Sequence, residues 1–316
     1  MKTLIVARHT GFGLDQDARI LKAALADIGI AAEVARPRDL GLLAALRRRH
    51  VADRIIHVER VHTRWLRAAP EHLVVPNQER FPERKLRALR RVDRVLAKTH
   101  HAEVIFQDLG LPVTYMGFMS EDCARPGSEK DYGRCLHLAG RSTMKGTEDV
   151  IAAWARHPEW PELTLVQDPS RPRPEVPANV DLVRRYLDLD ELRALQNGCG
   201  IHLCPSRSEG FGHYISEAMS TAAVVITTDA PPMNELVDPA SGLLVASGRQ
   251  ETRHLGACYY VDPEALDARI EEALAMDSAA KARLGQQARR RYEALTKEFQ
   301  VRIKEIFAEF SNRPGS

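Results

Sequence analysis

The sequence predicts an α/β protein of two domains, each a parallel sheet covered by helices. Short, β-rich apolar runs alternate with helical patterns along almost the whole chain, which is the pattern of βα units. The chain has 316 residues, enough for two domains at about 100–200 residues each. The weakest periodicity falls at 120–133, SEDCARPGSEKDYG, a polar stretch containing Pro126 and Gly127 that reads as a hinge. The expected division is therefore a first domain over 1–127, a second over 128–290, and a closing helix over 291–316.

Taken in order, the first-half strands are expected at TLIVA (3–7), AAEVA (31–35), RIIHV (54–58), HLVVP (72–76), RVLAK (94–98) and PVTYM (112–116). The helical run between the first two places Ile20, Leu21, Ala24, Leu25 and Ile28 on one face and stops at Gly29. The second half offers RCLHLAG (134–140), LTLVQ (163–167), VDLVR (180–184), IHLCP (201–205), AVVIT (223–227), GLLVA (242–246) and ACYYV (257–261). GTEDVIAAWARH (146–157) reads as a helix with Thr147 as N-cap and acids in its first turn. A last helix near 279–312 repeats apolar residues at Tyr292, Leu295, Phe299, Ile303, Ile306, Phe307 and Phe310. So wide a stripe must bury, and the partner left for it is the first domain.

Composition excludes several classes. With 44% hydrophobic and 28% charged residues the chain is neither disordered nor fibrous. A net charge of +2 does not supply the basic surface that coats nucleic acid. The five cysteines, Cys123, Cys135, Cys199, Cys204 and Cys258, are odd in number and form no CxxC pair. They are expected to be buried, reduced thiols. The N-terminal apolar run is too short for a signal segment, and no run approaches the roughly 20 residues that span a bilayer. A cytoplasmic protein is expected. Charge is uneven: residues 1–130 hold 23 Lys and Arg against 16 Asp and Glu, and the remainder 22 against 27. The excess lies in Arg47-Arg48-Arg49 and in Arg80 to Arg94. It is either a solvated face or a surface that rests on anionic lipid, at the inner face of a membrane, or meets an anionic acceptor.

Ligands of open α/β sheets bind beyond the carboxyl ends of the strands. The loop after 201–205 is the most informative. Pro205 ends the strand, Gly210 and Gly212 free the backbone, and HYISEAMSTA reads as a helix. Backbone N–H groups at Phe211, Gly212 and His213 then face outward from a helix N-terminus. Glu209 precedes this helix and Glu217 lies one turn inside it, so two acceptor-only carboxylates can meet a polyhydroxyl ligand at two depths. The loop after 134–140, GRSTMKG, sets Arg141 and Lys145 beside another helix N-terminus, a cationic place for a diphosphate. Neither a Walker pattern nor GxGxxG is present.

These residues resemble glycosyltransferase family 4, whose members are retaining enzymes of the GT-B fold. The E-x7-E element is matched by Glu209-Gly210-Phe211-Gly212 through Glu217-Ala218-Met219, and the Gly-Arg…Lys-Gly element by Gly140-Arg141 and Lys145-Gly146. The resemblance implies two Rossmann-like domains facing across a cleft, with the C-terminal helix crossing back to the first. It implies that Arg141 and Lys145 bind the donor diphosphate, with Gly13 approaching it, and that Glu217 holds the ribose. Glu209, with Phe211, Gly212 and His213, would hold the transferred sugar, and Glu209 is the catalytic candidate. Two departures stand out. Ala230-Pro231-Pro232 replaces the family's phosphate-cradling glycines, and its prolines lack N–H donors. No His clearly follows the HLVVP strand where the family often has one.

Weaker signals complete the candidate set. Gly11-Phe12-Gly13 follows the first strand and is either a ligand loop or a tight turn. Gly11, Asp15, Asn77, Gln78, Glu79 and Lys98 are acceptor-side candidates, although a helix cap explains Asp15 equally well. Arg184, Arg185 and Tyr186, with Gln167 and Asp168, fall where a nucleobase would sit. Asp188-Leu189-Asp190 is read as a helix cap rather than a metal motif. No metal or other cofactor is expected. The leading expectation is a retaining transferase moving a sugar from a nucleotide-diphosphate sugar to a glycan, lipid-linked or small-molecule acceptor. A nucleotide-sugar 2-epimerase and a non-catalytic sensor are the competing readings.

Overall fold

A computed structural model describes residues 2–9, 13–41 and 50–311. The chain forms two α/β units, each with a six-stranded parallel sheet. The first unit runs to Ser120 and includes Arg253–Gly256 and the chain from Leu295 onward; the second holds Glu121–Thr252 and Ala257–Ala294. The first crossing thus falls in the polar stretch that the sequence marks as a hinge.

In the first unit, strands β1 (Thr3–Val6), β2 (Ala32–Ala35), β3 (Arg54–Glu59), β4 (Glu71–Pro76), β5 (Arg94–Ala97) and β6 (Val113–Tyr115) take the order β2-β1-β3-β4-β5-β6. Helix α1 (Gly13–Asp27) connects the first two and buries Ile20, Leu21, Ala24 and Leu25. It begins slightly earlier than its acidic residues suggest, within the usual latitude of helix ends. A short α2 (Leu86–Leu89) and α3 (His100–Asp108) follow. The Thr99 side chain caps α3 by accepting from the Ala102 amide at 3.1 Å. Arg47-Arg48-Arg49 lie outside the described residues.

In the second unit, β7 (Asp131–Gly140), β8 (Leu163–Gln167), β9 (Val180–Val183), β10 (Cys199–Cys204), β11 (Val224–Thr228) and β12 (Leu243–Val245) order as β12-β11-β10-β7-β8-β9. Helices α4 (Thr147–Arg156), α5 (Leu189–Gly198), α6 (His213–Ser220), α7 (Met233–Leu236) and α8 (Pro263–Ala275) connect them. Trp154 of α4 is fully buried against Leu163, Ile201 and Ile226 in one apolar core. Asp188 caps α5 in a capping box with Glu191, as the sequence predicts. The strand ACYYV forms, yet outside the parallel sheet: β13 (Ser247–Arg253) and β14 (Gly256–Val261) pair only with each other. The polar β13, SGRQETR, carries no apolar alternation that would announce a strand.

Helix α9 (Ser278–Ser311) passes from the second unit into the first. Its expected stripe is buried there, with Phe299, Ile303, Phe307 and Phe310 each at most 1% exposed. Phe118 meets the Phe299 ring edge-on at 5.3 Å, and the buried Arg54 guanidinium lies 5.1 Å from both Phe307 and Phe310. All five cysteines are free and buried. Among the described residues no helix is long and apolar enough to cross a membrane.

Candidate functional site

The strand order of the second unit sets the place of its site. From β7 the chain proceeds to β8 and β9 on one side, then returns to β10, β11 and β12 on the other. The β7/β10 boundary is therefore the point where the winding reverses, and the loops leaving these neighbouring strands open a crevice at their carboxyl ends. Those are the loops Arg141–Gly146 and Pro205–Gly212, the two motif-bearing segments.

Their approach is close. Gly146, at φ +66°, is the N-cap of α4, and a Cβ added to it would lie 2.2 Å from the Pro205 carbonyl oxygen. Only glycine supplies both the left-handed backbone and the space. The Arg207 amide donates to the Met144 carbonyl at 2.7 Å, joining the loops directly. Thr147 does not cap α4. Its hydroxyl meets Nε2 of the fully buried His137 at 2.9 Å, while Nδ1 of the same ring reaches the Leu203 carbonyl at 2.8 Å. Burial, with a smaller contribution from the Lys145 charge, lowers the His137 pKa to about 4, so the ring is neutral. Gly212, at φ +109°, plays the capping part for α6.

Within the joined loops the side chains form two connected sets. Buried Ser206 donates to Glu209 Oε1 at 2.7 Å and meets the Tyr214 hydroxyl at 2.6 Å. The Lys145 ammonium sits 3.3 Å from the centre of the Tyr214 ring. Burial lowers the Lys145 pKa, and the Glu209 and Glu217 charges oppose that shift, which places the ammonium near both carboxylates. In the second set, Gln196 Nε2 donates to Glu217 Oε2 at 3.1 Å and Gln196 Oε1 accepts from Arg193 at 2.6 Å. Gln196 is 1% exposed, so the Glu217 carboxylate is held by a rigid amide.

The remaining second-unit candidates separate. Arg141 is exposed at the end of β7, and its charge helps lower the Asp168 pKa behind the larger effect of the Ser170 hydrogen bonds. Arg184 turns to its own neighbourhood and donates to the Pro169 and Arg171 carbonyls, bracing the loop after β8. Arg185 forms a bidentate pair with Glu191 at 2.7 and 2.8 Å. Tyr186 is 85% exposed beside them. A pocket of about 190 Å³ lies between the N-terminus of α4 and the loop after β8, lined by Ser142, Thr147, Gln167, Arg171 and Arg173 among others.

In the first unit, Asn77, Gln78 and Glu79 follow β4 and are buried. Lys98 follows β5 and forms a buried ion pair with Asp17 of α1, 3.0 Å apart, with its ammonium 5.3 Å from the Phe118 ring centre. Asp15 meets His9 Nδ1 at 2.8 Å. Gly13 is the first residue of α1; Gly11 lies outside the described residues. Two residues that the sequence reading passed over sit at the same edge. Glu59 closes β3 with φ +68°, and His62 is buried with Nε2 lacking any hydrogen-bond partner.

Residues missed in the second unit are Ser206, Tyr214, Gln196 and His137. Ser206 and Tyr214 bracket Glu209 inside the segment already singled out, so a polar residue at each end of a ligand loop was the available signal. Gln196 and His137 carry no local signal, because their partners lie far off in sequence.

Comparison with known proteins bears on the fold and on part of the second unit. Residues 176–291 match the family model for glycosyl transferases group 1. No curated protein sequence matches the chain. Among solved structures, a sucrose-phosphate synthase from Thermosynechococcus elongatus superposes with a TM-score of 0.74 at 17% identity, covering 98% of each chain. A glycosyltransferase from Rickettsia africae gives 0.74 at 13% identity over 99% of each chain. Anabaena HepE, solved with UDP-glucose, gives 0.68 at 19% identity over 98% of this chain and 99% of its own. The chain thus has the fold of GT-B glycosyltransferases, two Rossmann-like α/β units, and the matched segment carries both the Glu209 and Glu217 positions.

Proposed function

We propose that the protein is a retaining glycosyltransferase that uses a nucleotide-diphosphate sugar, in the manner of family 4. The observation that carries the reading is the junction of the two motif loops at the reversal of the second sheet. There one lysine and two glutamates converge beside two helix N-termini. Arg141, Lys145 and the N–H groups opening α4 and α6 receive the diphosphate. Glu217, held by Gln196, accepts the ribose hydroxyls. Glu209 and the Phe211, Gly212 and His213 amides hold the transferred sugar. Binding of UDP-glucose by the structural neighbour HepE supports a donor of this class.

The acceptor hydroxyl attacks the anomeric carbon on the face that the diphosphate leaves. The C–O bond to the phosphate breaks as the new glycosidic bond forms, and the departing phosphate oxygen takes the hydroxyl proton. The enzyme's contribution is electrostatic: fixed cations and N–H dipoles meet the charge growing on the leaving group without a metal ion. The acceptor is a glycan, a lipid-linked intermediate or a small molecule of glycoconjugate synthesis in the cytoplasm. Contact with an anionic inner membrane surface would run through Arg84, Lys85, Arg87, Arg90 and Arg91, all exposed.

A thermal-shift panel of UDP, GDP, ADP, CMP and dTDP, followed by incubation with the matching sugar nucleotides, tests the reading. Sugar transfer or slow donor hydrolysis is the expected result. Formation of the 2-epimer would make the protein an isomerase, and saturable binding without turnover would make it a sensor. Stabilisation by none of the diphosphates would sink the proposal.

A further inference from the structure

Tyr214 is the second residue of α6 and is 6% exposed. A buried phenol needs a hydrogen-bond partner, and this one finds Ser206 Oγ at 2.6 Å. Ser206 has a single proton, which it gives to Glu209 Oε1 at 2.7 Å. The direction of the chain follows: Tyr214 donates to Ser206, and Ser206 donates to Glu209. Burial raises the Tyr214 pKa well above the ordinary phenol value, so the donor stays protonated. The same side chain has a second job on its face. The Lys145 ammonium rests 3.3 Å from the ring centre, close even for a cation–π contact, which extends to about 6 Å.

One aromatic side chain therefore touches both motif loops through chemically different parts. We propose that Tyr214 is a positioning residue that sets the diphosphate-binding lysine and the sugar-binding carboxylate in register, its ring seating Lys145 and its hydroxyl, through Ser206, aiming Glu209. This rests on the proposed donor chemistry. Its content is that the ring and the hydroxyl act on different halves of the donor. The ring serves the diphosphate, which a bare nucleotide also carries. The hydroxyl serves the sugar, which a bare nucleotide lacks.

Tyr214→Phe removes the hydroxyl and keeps the ring, Tyr214→Leu removes both, and Ser206→Ala cuts the same hydrogen-bond chain one link later. The probes are the nucleoside diphosphate that most stabilises the wild type and its sugar nucleotide. Tyr214→Phe and Ser206→Ala should leave bare-nucleotide affinity within about twofold and lower kcat/KM for the sugar nucleotide about fivefold, the scale of one neutral hydrogen bond. Tyr214→Leu should also weaken bare-nucleotide binding, by about three- to thirtyfold, the scale of a partly desolvated cation–π contact. Proton NMR of the free protein supplies a readout that needs no nucleotide. The ring should displace the Lys145 side-chain resonances upfield in the wild type and in Tyr214→Phe, and Tyr214→Leu should restore ordinary shifts.

Full activity in both Tyr214→Phe and Ser206→Ala would overturn the hydroxyl's role. Equal losses of bare-nucleotide affinity in Tyr214→Phe and Tyr214→Leu, or unshifted Lys145 resonances in the wild type, would overturn the ring's. A wild type that shows the upfield shift but binds no nucleotide diphosphate would instead refute the donor reading, and the positioning role would fall with it.

Discussion

At the carboxyl edge of the second unit's sheet, polar side chains are arranged around loops: glycines bring two segments into contact, and Lys145, Glu209 and Glu217 gather above them. At the same edge of the first unit, polar side chains turn inward. Lys98 and Asp17 neutralise each other at 2% exposure, and Asn77, Gln78 and Glu79 are buried. Both units place charge where an α/β sheet binds ligands, but they use it differently. In the second unit the charges converge on a loop junction, whereas the Lys98 charge is spent on holding α1 to β5. The two lysines thus differ in what they face: a single buried carboxylate for Lys98, a loop junction for Lys145.

The largest test of this contrast breaks the first-unit pair. Lys98→Met leaves Asp17 buried without its cation, which typically costs about 3–5 kcal/mol. Chemical denaturation should show that loss, while the folded variant binds nucleoside diphosphate as the wild type does. Replacing both residues, as Lys98→Met with Asp17→Leu, should recover much of the stability. A selective loss of donor turnover at unchanged stability would support the acceptor-side reading of Lys98 instead. The matching test in the second unit is Gly146→Ala. Its Cβ would meet the Pro205 carbonyl at 2.2 Å, so the loops must part. Nucleotide affinity should fall by about a hundredfold, the scale of losing one or two charge-assisted contacts. Calorimetric titration measures it, and affinity within threefold of wild type would show that the junction is not needed.

Acidification distinguishes the units by their buried histidines. In the first, His57, His62 and His72 are linked, with His57 Nε2 3.2 Å from His72 Nδ1. Burial lowers all three pKa values, that of His62 to about 4 with help from the Arg8 charge. In the second, burial takes His137 to about 4 and His202 to about 3. Because each folded value lies below the ordinary 6.5, protons bind the unfolded chain more tightly. Each group's contribution is whole above pH 6.5 and is lost as pH falls toward its own lowered folded value. With three coupled histidines, the first unit should unfold at the higher pH. Trp65 reports the first unit and Trp154 with Trp160 the second, so fluorescence of a Trp65→Phe variant beside the wild type resolves the two. Coincident transitions, or earlier loss of the second unit, would contradict the assignment.

A smaller effect separates the two glutamates. Glu217→Gln keeps the shape but would weaken the proposed charge-assisted hydrogen bond to the ribose, a loss of about 1.5–3 kcal/mol for bare and sugar nucleotide alike. Glu209→Gln should spare the bare nucleotide and lower sugar-nucleotide turnover, since its proposed partner is the sugar. Equal losses for both ligands in Glu209→Gln would make the two residues equivalent and remove the assignment.

How much of this was legible follows from the range of the interactions. The parallel sheets, the α9 stripe and the Asp188 cap are local patterns, set by residues within a turn or a strand of each other. The motif loops were legible because their glycines and charges lie within a few positions. The Lys98 ion pair was not legible, because its partner Asp17 is 81 residues away. Gln196 was invisible for a similar reason, since nothing near it names Glu217. Strand β13 was missed because it is almost wholly exposed, and so carries no alternation of apolar and polar residues.

The smallest expected effect comes from removing metal ions. A nucleoside diphosphate brings about three negative charges near neutral pH, and its release in the transition state concentrates charge on the leaving oxygen. In the second unit that charge would meet Arg141, Lys145 and the N-terminal N–H groups of α4 and α6, each helix end acting as roughly half a positive charge. The Lys145 ammonium is already held in place by the Tyr214 ring, so little reorganisation is required when the donor arrives. If these fixed cations suffice, as proposed, preincubation with excess EDTA should leave donor turnover within about twofold, the margin left by ionic-strength screening alone. A matched sodium chloride control separates screening from chelation. If EDTA abolishes turnover and magnesium or manganese restores it, the fixed cations are insufficient, and the diphosphate must carry a metal into the site.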